Sequence, residues 1–104
     1  MAKIVNTSNF RGTVEESNNV VVVDFFATWC GPCKMLAPVF DSLSEELTDV
    51  DFVKVDIDQS LELAQKFGIT TVPTMMIFKD GKVVDTLVGF MPKDNLKAKV
   101  QAHL

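Results

Sequence analysis

Two kinds of apolar pattern follow each other along the chain. Residues 20–26 are apolar at every position except Asp24, which is typical of a central parallel strand covered on both faces. From Pro32 onward, apolar residues recur at helical spacing instead. These positions are Leu36, Val39, Phe40, Leu43 and Leu47. The pattern therefore predicts a buried strand that leads into a helix, with a kink where Pro38 falls inside that helix.

The remaining predicted elements are shorter. Further strands are expected at residues 3–5, 52–57, 74–78 and 83–88. Further helices are expected around Phe10 and Val14, over residues 61–67 with Asp58 as the N-cap, and after Pro92. The pair Asp80-Gly81 is a strong signal for a hairpin between the last two strands.

These elements follow the order βαβαβαββα. The early crossovers imply parallel strands, and the final hairpin implies an antiparallel pair. The sequence therefore predicts an α/β fold with a central mixed β-sheet flanked by helices on both faces, built as a single domain over residues 1–104.

Composition narrows the class of protein. The 104 residues are 47% hydrophobic and 23% charged, as expected for a folded globular domain. A net charge of -4 without a Lys/Arg cluster argues against nucleic acid as a partner. We find no segment apolar enough to suggest a membrane partner and no leader segment, so a cytoplasmic location is expected. No oligomer interface is evident, and a monomer is the default expectation.

The only two cysteines are Cys30 and Cys33, placed between the buried strand and the first turn of the long helix. Residues three apart on a helix are neighbours, so the two thiols can close a disulfide without large backbone movement. A helix N-terminus stabilises a thiolate. A thiolate with a second thiol beside it is a redox centre.

Other readings of this pair are weaker. Two inert buried thiols at this spacing are uncommon. A structural zinc site needs about four ligands, and the chain adds only His103, far along the sequence. We expect Cys30 to be the more exposed and to attack, and Cys33 to resolve the mixed disulfide. Gly31 and Pro32 leave little bulk over the sulfurs and stiffen the loop.

Asp24 and Lys54 are charged residues within apolar strands. A carboxylate among valines and phenylalanines is costly to bury without a purpose or a partner, although its side chain could also reach solvent at a sheet edge. A buried Asp24 near Cys33 could accept that thiol's proton. Lys54, in the next strand, could keep Asp24 partly ionised, or could extend from the strand into water.

The sequence contains three further candidate site residues: Pro73, Trp29 and Phe90. Pro73 precedes an apolar strand, where proline is awkward, and a cis bond would account for it although trans is commoner. Trp29 and Phe90 are either exposed apolar contact residues or half-buried packing residues.

A close resemblance to the thioredoxin family lies in the run Trp29-Cys30-Gly31-Pro32-Cys33-Lys34. The remaining matching features cover essentially the whole chain in the family's order. They are Val23-Asp24-Phe25, Lys54, Val72-Pro73-Thr74, Phe78-Lys79-Asp80-Gly81 and Gly89. Two positions depart from the usual pattern: Phe26 stands where many members have Trp, and Phe90 is bulkier than the residue often found there.

The resemblance implies a protein-disulfide reductase. In that reading Cys30 attacks a client disulfide, Cys33 resolves it, and a thioredoxin reductase re-reduces the pair, with no cofactor and no metal beyond the redox-active disulfide. Asp24 would assist Cys33, and Pro73 would be a cis-proline facing the sulfurs. The implied client surface comprises Trp29, Gly31, Pro32, Val72, Pro73, Gly89 and Phe90, with the Val72 backbone pairing with an extended client segment.

Two other functions fit the same residues. An oxidant or isomerase would use the same fold, but Gly-Pro between the cysteines resembles the reducing members. A binding scaffold would not need the cysteines, Asp24, Lys54 or Pro73, which makes this reading the weaker one.

Overall fold

A computed structural model describes residues 2–104. The strands are β1 (Lys3–Ile4), β2 (Val21–Phe26), β3 (Asp51–Asp56), β4 (Thr74–Lys79) and β5 (Lys82–Val88). The helices are α1 (Gly31–Glu46), α2 (Leu61–Lys66) and α3 (Lys93–Gln101), with a π-helical turn at Arg11–Glu15. Within residues 2–104, no helix combines the length and the apolar character needed to cross a bilayer.

The five strands form one mixed sheet in the order β1-β3-β2-β4-β5. β2 pairs in parallel with β3 and antiparallel with β4, so it lies at the centre. The β4–β5 hairpin is antiparallel, as the Asp80-Gly81 pair predicts. This confirms the predicted α/β architecture, and the central position of β2 explains why its sequence is almost continuously apolar.

Apolar residues fill both faces of the sheet. Val22 belongs to a cluster with residues of α1 and α3, including Leu36, Phe40 and Leu96. Val23 faces the other way and belongs to a second cluster, which holds Phe10, Phe78 and Leu63. Successive strand residues point to opposite faces, so β2 supplies both layers, and helices cover the sheet on both sides.

Two local predictions differ from the structure. The helix expected around Phe10 and Val14 is a π-helical turn, in which the Glu16 N–H donates to the Arg11 carbonyl. The predicted N-cap of α2 is wrong, because Ser60 occupies that position. The Asp56 carboxylate accepts the N–H groups of Asp58 and Gln59, which turns the chain before the helix begins. α1 continues through Pro38 as one helix.

The β4–β5 turn touches the π-helical turn at one point. Gly81 has a φ of +76°, and a Cβ at this residue would overlap the Glu15 carbonyl oxygen. We expect Gly81→Ala to lower the free energy of unfolding by about 1–3 kcal/mol, because both the backbone conformation and the contact exclude a side chain. Denaturant unfolding would measure the loss.

The matched control for this substitution is Gly12→Ala. Gly12 is part of the π-helical turn, and beyond that turn and its chain neighbours no described residue has an atom within 4 Å of a Cβ added there. We expect the free energy of unfolding of Gly12→Ala to stay within about 1 kcal/mol of the parent value. Equal losses at the two positions would show that the Gly81 contact has no special role.

Candidate active site

The two cysteines lie at the junction of β2 and α1. Cys30 is the N-cap of α1 and Cys33 is in the first turn. Their sulfurs are joined in a disulfide, with the Cα atoms 5.2 Å apart. This confirms the prediction that the spacing allows an intramolecular disulfide. Pro32 occupies the first turn of α1, where its missing N–H costs no hydrogen bond.

The start of α1 is electrostatically suited to a sulfur anion at Cys30. The Cys33 N–H donates to Cys30 Sγ at 3.2 Å. The first turn of α1 has no acidic residue, so nothing offsets the partial positive charge of the helix N-terminus. The N-terminus of α1 and the donated N–H therefore both direct positive partial charge at Cys30 Sγ.

Burial does not distinguish the two cysteines. Each is 4% exposed, so the prediction that Cys30 is the more exposed is wrong in the disulfide form. Both belong to a small cluster with Ala27, against which Phe26 and Val72 pack. The position of Cys30 shortly after β2 therefore does not make it exposed, because residues such as Phe26 and Val72 pack against both cysteines.

The loop that precedes β4 covers the disulfide. The peptide bond between Val72 and Pro73 is cis, and the Val72 carbonyl oxygen lies 3.5 Å from Cys30 Sγ. The Pro73 carbonyl accepts the Gly89 N–H at 2.8 Å, so this loop is tied to the end of β5. Val72, Pro73 and Gly89 thus form one connected part of the site.

Exposed apolar side chains lie around this part of the molecule. Trp29 is 67% exposed and Phe90 is 39% exposed, while Gly31 and Pro32 are also exposed. Trp29 Nε1–H donates to Asp58 Oδ2 at 2.9 Å, which fixes one edge of the ring. Both side chains therefore fit the contact interpretation of the sequence better than the packing interpretation.

Asp24 is completely buried, and neither of its carboxylate oxygens has a hydrogen-bond partner among residues 2–104. Its side chain therefore does not escape to solvent, which the sequence left open. Burial raises the pKa of Asp24 from 3.8 to about 7, and the nearby Lys54 charge opposes part of that rise. Asp24 can thus exist in both protonation states near neutral pH.

Lys54 is directly opposite Asp24 in the parallel β2–β3 register. The side chain is half-buried, and its Nζ lies over the ring of Phe26, 4.6 Å from the ring centroid. A cavity of about 210 Å³ is lined by residues from β2, β3 and α1. Its lining comprises Phe26, Ala27, Thr28, Cys33, Lys34, Ala37 and Lys54. Lys54 and Cys33 therefore both line this cavity.

Sequence reasoning missed two contributors to this site. Asp58 is 29 residues from its hydrogen-bond partner Trp29, and no local pattern indicates such a contact. Phe26 appeared only as a substitution for Trp, yet its ring contacts the Lys54 ammonium. The pairing of β2 with β3 is the signal that could have indicated this contact. It sets Lys54 opposite Asp24, two residues before Phe26 on the same face of the sheet. Within residues 2–104, no group of three or more His, Cys, Asp or Glu side chains is arranged to hold a metal ion.

Comparisons with known proteins agree with this site. The family model described as Thioredoxin matches residues 1–102. The thioredoxin of Bacillus subtilis (strain 168) is 46% identical over 102 residues, covering 97% of this chain and 98% of the relative. The thioredoxin of Chlamydia muridarum is 46% identical over 103 residues, covering 99% of each chain. Thioredoxin 1 of Synechococcus elongatus is 46% identical over 105 residues, covering 100% of this chain and 98% of the relative.

The geometry of the Cys30–Cys33 site and the similarity to known thioredoxins together identify the chemistry. The Cys30–Cys33 pair is a redox-active disulfide, and it serves a thiol-disulfide reductase that needs no separate cofactor. Partners of this class are, in general, disulfide-containing proteins and a reductase. The chain belongs to the thioredoxin family.

Proposed function

We propose that Cys30 is the attacking residue of this reductase and that Cys33 is the resolving residue. The observation that carries this assignment is the N–H of Cys33, which donates to Cys30 Sγ at the N-terminus of α1. Negative charge is stabilised on the sulfur that receives this N–H, and the thiolate is the nucleophile in disulfide exchange.

The exchange proceeds in two balanced steps. The Cys30 thiolate forms a bond to one client sulfur, and the other client sulfur leaves as a thiolate. The Cys33 thiolate then bonds to Cys30 Sγ, and the second client sulfur leaves. Two electrons pass to the client, and the Cys30–Cys33 disulfide remains. A thioredoxin reductase returns two electrons and restores the dithiol.

Asp24 accepts the Cys33 proton in the second step. Its pKa of about 7 makes the carboxylate available near neutral pH without making it too weak a base. Asp24 lies two residues before Phe26 on β2, on the face covered by α1, the helix that carries Cys33. Lys54 supports the ionised form of Asp24 through its charge.

The client binds at the exposed apolar residues beside the disulfide. Trp29, Gly31, Pro32 and Phe90 supply contact area, and the cis Val72–Pro73 peptide bond with Gly89 supplies backbone groups. An extended client segment pairs with the Val72 backbone, in the manner of strand addition. The larger Phe90 side chain affects which clients fit this surface.

The proposal also covers the domain organisation, the oligomeric state and the location of the protein. We propose one domain that acts as a monomer in the cytoplasm, because a dithiol reductant needs a compartment that keeps thiols reduced. Its net charge of -4 is opposite in sign to what nucleic acid would attract.

Trapping the mixed disulfide tests the division of roles. We expect Cys33→Ser to accumulate a covalent adduct with an oxidised peptide that contains one disulfide, because the resolving thiolate is absent. Cys30→Ser should form no adduct under the same conditions, because its remaining thiol lacks the donated N–H. Mass spectrometry of the alkylated products measures both.

The double variant Cys30→Ser/Cys33→Ser is the control for non-covalent association. Adduct formation at Cys33 in Cys30→Ser, at the rate seen for Cys30 in Cys33→Ser, would reverse the assignment. Equal peptide affinity in the parent and the double variant, with no adduct anywhere, would favour a binding scaffold instead.

A further inference from the structure

The Lys54 ammonium lies on an aromatic ring and not on the carboxylate opposite it. Asp24 and Lys54 are paired in register, yet within the described part of the chain neither Asp24 oxygen has a hydrogen-bond partner. Lys54 Nζ lies over the Phe26 ring instead, 4.6 Å from its centroid. The negative face of an aromatic ring attracts a cation at this distance.

Three side chains share one face of the sheet. Asp24 and Phe26 are two residues apart on β2, so they point to the same side, and Lys54 lies directly across from Asp24. α1 covers this face. Phe26 also packs against the cluster that holds Cys30 and Cys33, and it lines the 210 Å³ cavity together with Cys33 and Lys54.

We propose that Phe26 is a positioning residue for the proton transfer: its ring holds the Lys54 ammonium at the cavity beside Cys33, where the positive charge favours ionised Asp24. This proposal deepens the function given above, since it rests on Asp24 as the acceptor of the Cys33 proton.

The physical reason is the preference of an ammonium for water. Lysine has a flexible stem, and a half-buried lysine near a strand end can extend its charge into solvent. There the charge is screened and its effect on Asp24 weakens. A ring that binds the ammonium at the cavity keeps the charge close to Asp24 without an ion pair.

Few other charged or titratable groups face Asp24. β3 contributes Lys54, which is opposite Asp24 in register, and α1, which covers this face, carries Cys33 in its first turn. The register neighbour on β4 is the uncharged Met75. Two charged residues lie further towards the strand ends and the cavity rim: Asp56, opposite Phe26, and Lys34, which lines the cavity.

A double-mutant cycle tests the proposal in the disulfide form, where Cys30 and Cys33 do not titrate. The Asp24 carboxyl carbon is followed by NMR against pH in the parent, Phe26→Leu, Lys54→Met and the double variant. We expect Lys54→Met to raise the pKa of Asp24 by about one unit, roughly tenfold in its dissociation constant. Phe26→Leu should raise it by about half a unit, roughly threefold, in the parent but not in the Lys54→Met background.

Conservative variants and a remote pair serve as controls. Phe26→Trp and Phe26→Tyr keep an aromatic face and should keep the pKa of Asp24 at or below the parent value. Lys66 also lies over a ring, that of Phe67, and Lys66→Met should leave the Asp24 titration unchanged. The aromatic variants also decide the matter should Phe26→Leu fold poorly.

The outcomes separate this proposal from the proposed function. Equal shifts for Phe26→Leu with and without Lys54, or a Tyr or Trp variant that behaves like Leu, would overturn the positioning role. An Asp24→Asn variant whose resolving step keeps the parent's pH dependence would instead remove Asp24 as proton acceptor. That second result does not affect the titrations, which report on Phe26 and Lys54 directly.

Discussion

Replacing Asp24 with asparagine is expected to remove most of the pH dependence of stability between pH 4 and pH 8. Asp24 is completely buried and has no side-chain hydrogen-bond partner among the residues that the structure describes, so its ionised form is poorly accommodated in the folded protein. The folded state therefore holds the Asp24 proton more tightly than the unfolded state does. Asparagine has a similar shape and carries no ionisable proton.

The direction in which stability changes with pH follows from the raised pKa of Asp24. Between pH 3.8 and about 7 the folded protein binds more protons at Asp24 than the unfolded chain, so stability falls as the pH rises through this range. At about 1.36 kcal/mol for each pH unit, the full loss at Asp24 amounts to about 4 kcal/mol. Above pH 7 to 8 this contribution changes no further.

Denaturant unfolding of the disulfide form at pH 4 and pH 8 measures the effect. We expect the difference in unfolding free energy between Asp24→Asn and the parent to change by about 4 kcal/mol between the two pH values, in favour of the variant at pH 8. Comparing the two pH values cancels any fixed cost of burying the amide. The exposed Asp49 supplies the control, and Asp49→Asn should follow the parent. Parallel curves for Asp24→Asn and the parent would contradict the assignment.

Truncating Phe40 is the second large effect, and it acts on stability alone. Phe40 is fully buried on α1, and its ring meets that of Phe52 edge to face, with centroids 5.2 Å apart. Phe40→Ala removes this contact and leaves a cavity between α1 and the sheet. We expect a loss of about 3–5 kcal/mol in the free energy of unfolding.

A control on the same helix isolates the effect of burial. Met35 lies on α1 but is 61% exposed, and Met35→Ala should change the free energy of unfolding by less than about 0.5 kcal/mol. Thermal and denaturant unfolding of both variants decide the matter. A comparable loss at both positions would mean that helix propensity, and not the packing of Phe40, dominates.

The parts of the fold that were predictable are those with strong local patterns. β2 was evident because both of its faces are buried and almost every residue is apolar. α1 was evident because Leu36, Phe40 and Leu43 recur at helical spacing. The disulfide was predictable for the same reason, since residues three apart at a helix start are neighbours whatever the rest of the chain does.

Features that depend on contacts between distant segments were not predictable. The sequence favours Asp58 as an N-cap. In the structure the Asp56 carboxylate accepts the Asp58 backbone N–H, and the Asp58 carboxylate accepts the Trp29 Nε1–H. The exposure of Cys30 depends on a loop more than 40 residues away, which contains Val72. The position of the Lys54 ammonium over Phe26 depends on side-chain conformation, which a residue pattern does not specify.

The low exposure of both cysteines has a consequence for selectivity. Attack on a disulfide requires the incoming sulfur to approach along the line of the bond that breaks, and little of this bond is open to solvent. Small thiols that collide at random will therefore react slowly with the oxidised protein. A protein partner that docks beside Trp29 and orients its own sulfur gains rate from proximity. Steric shielding of the disulfide thus slows its reduction by small thiols and favours its reduction by a docked protein partner.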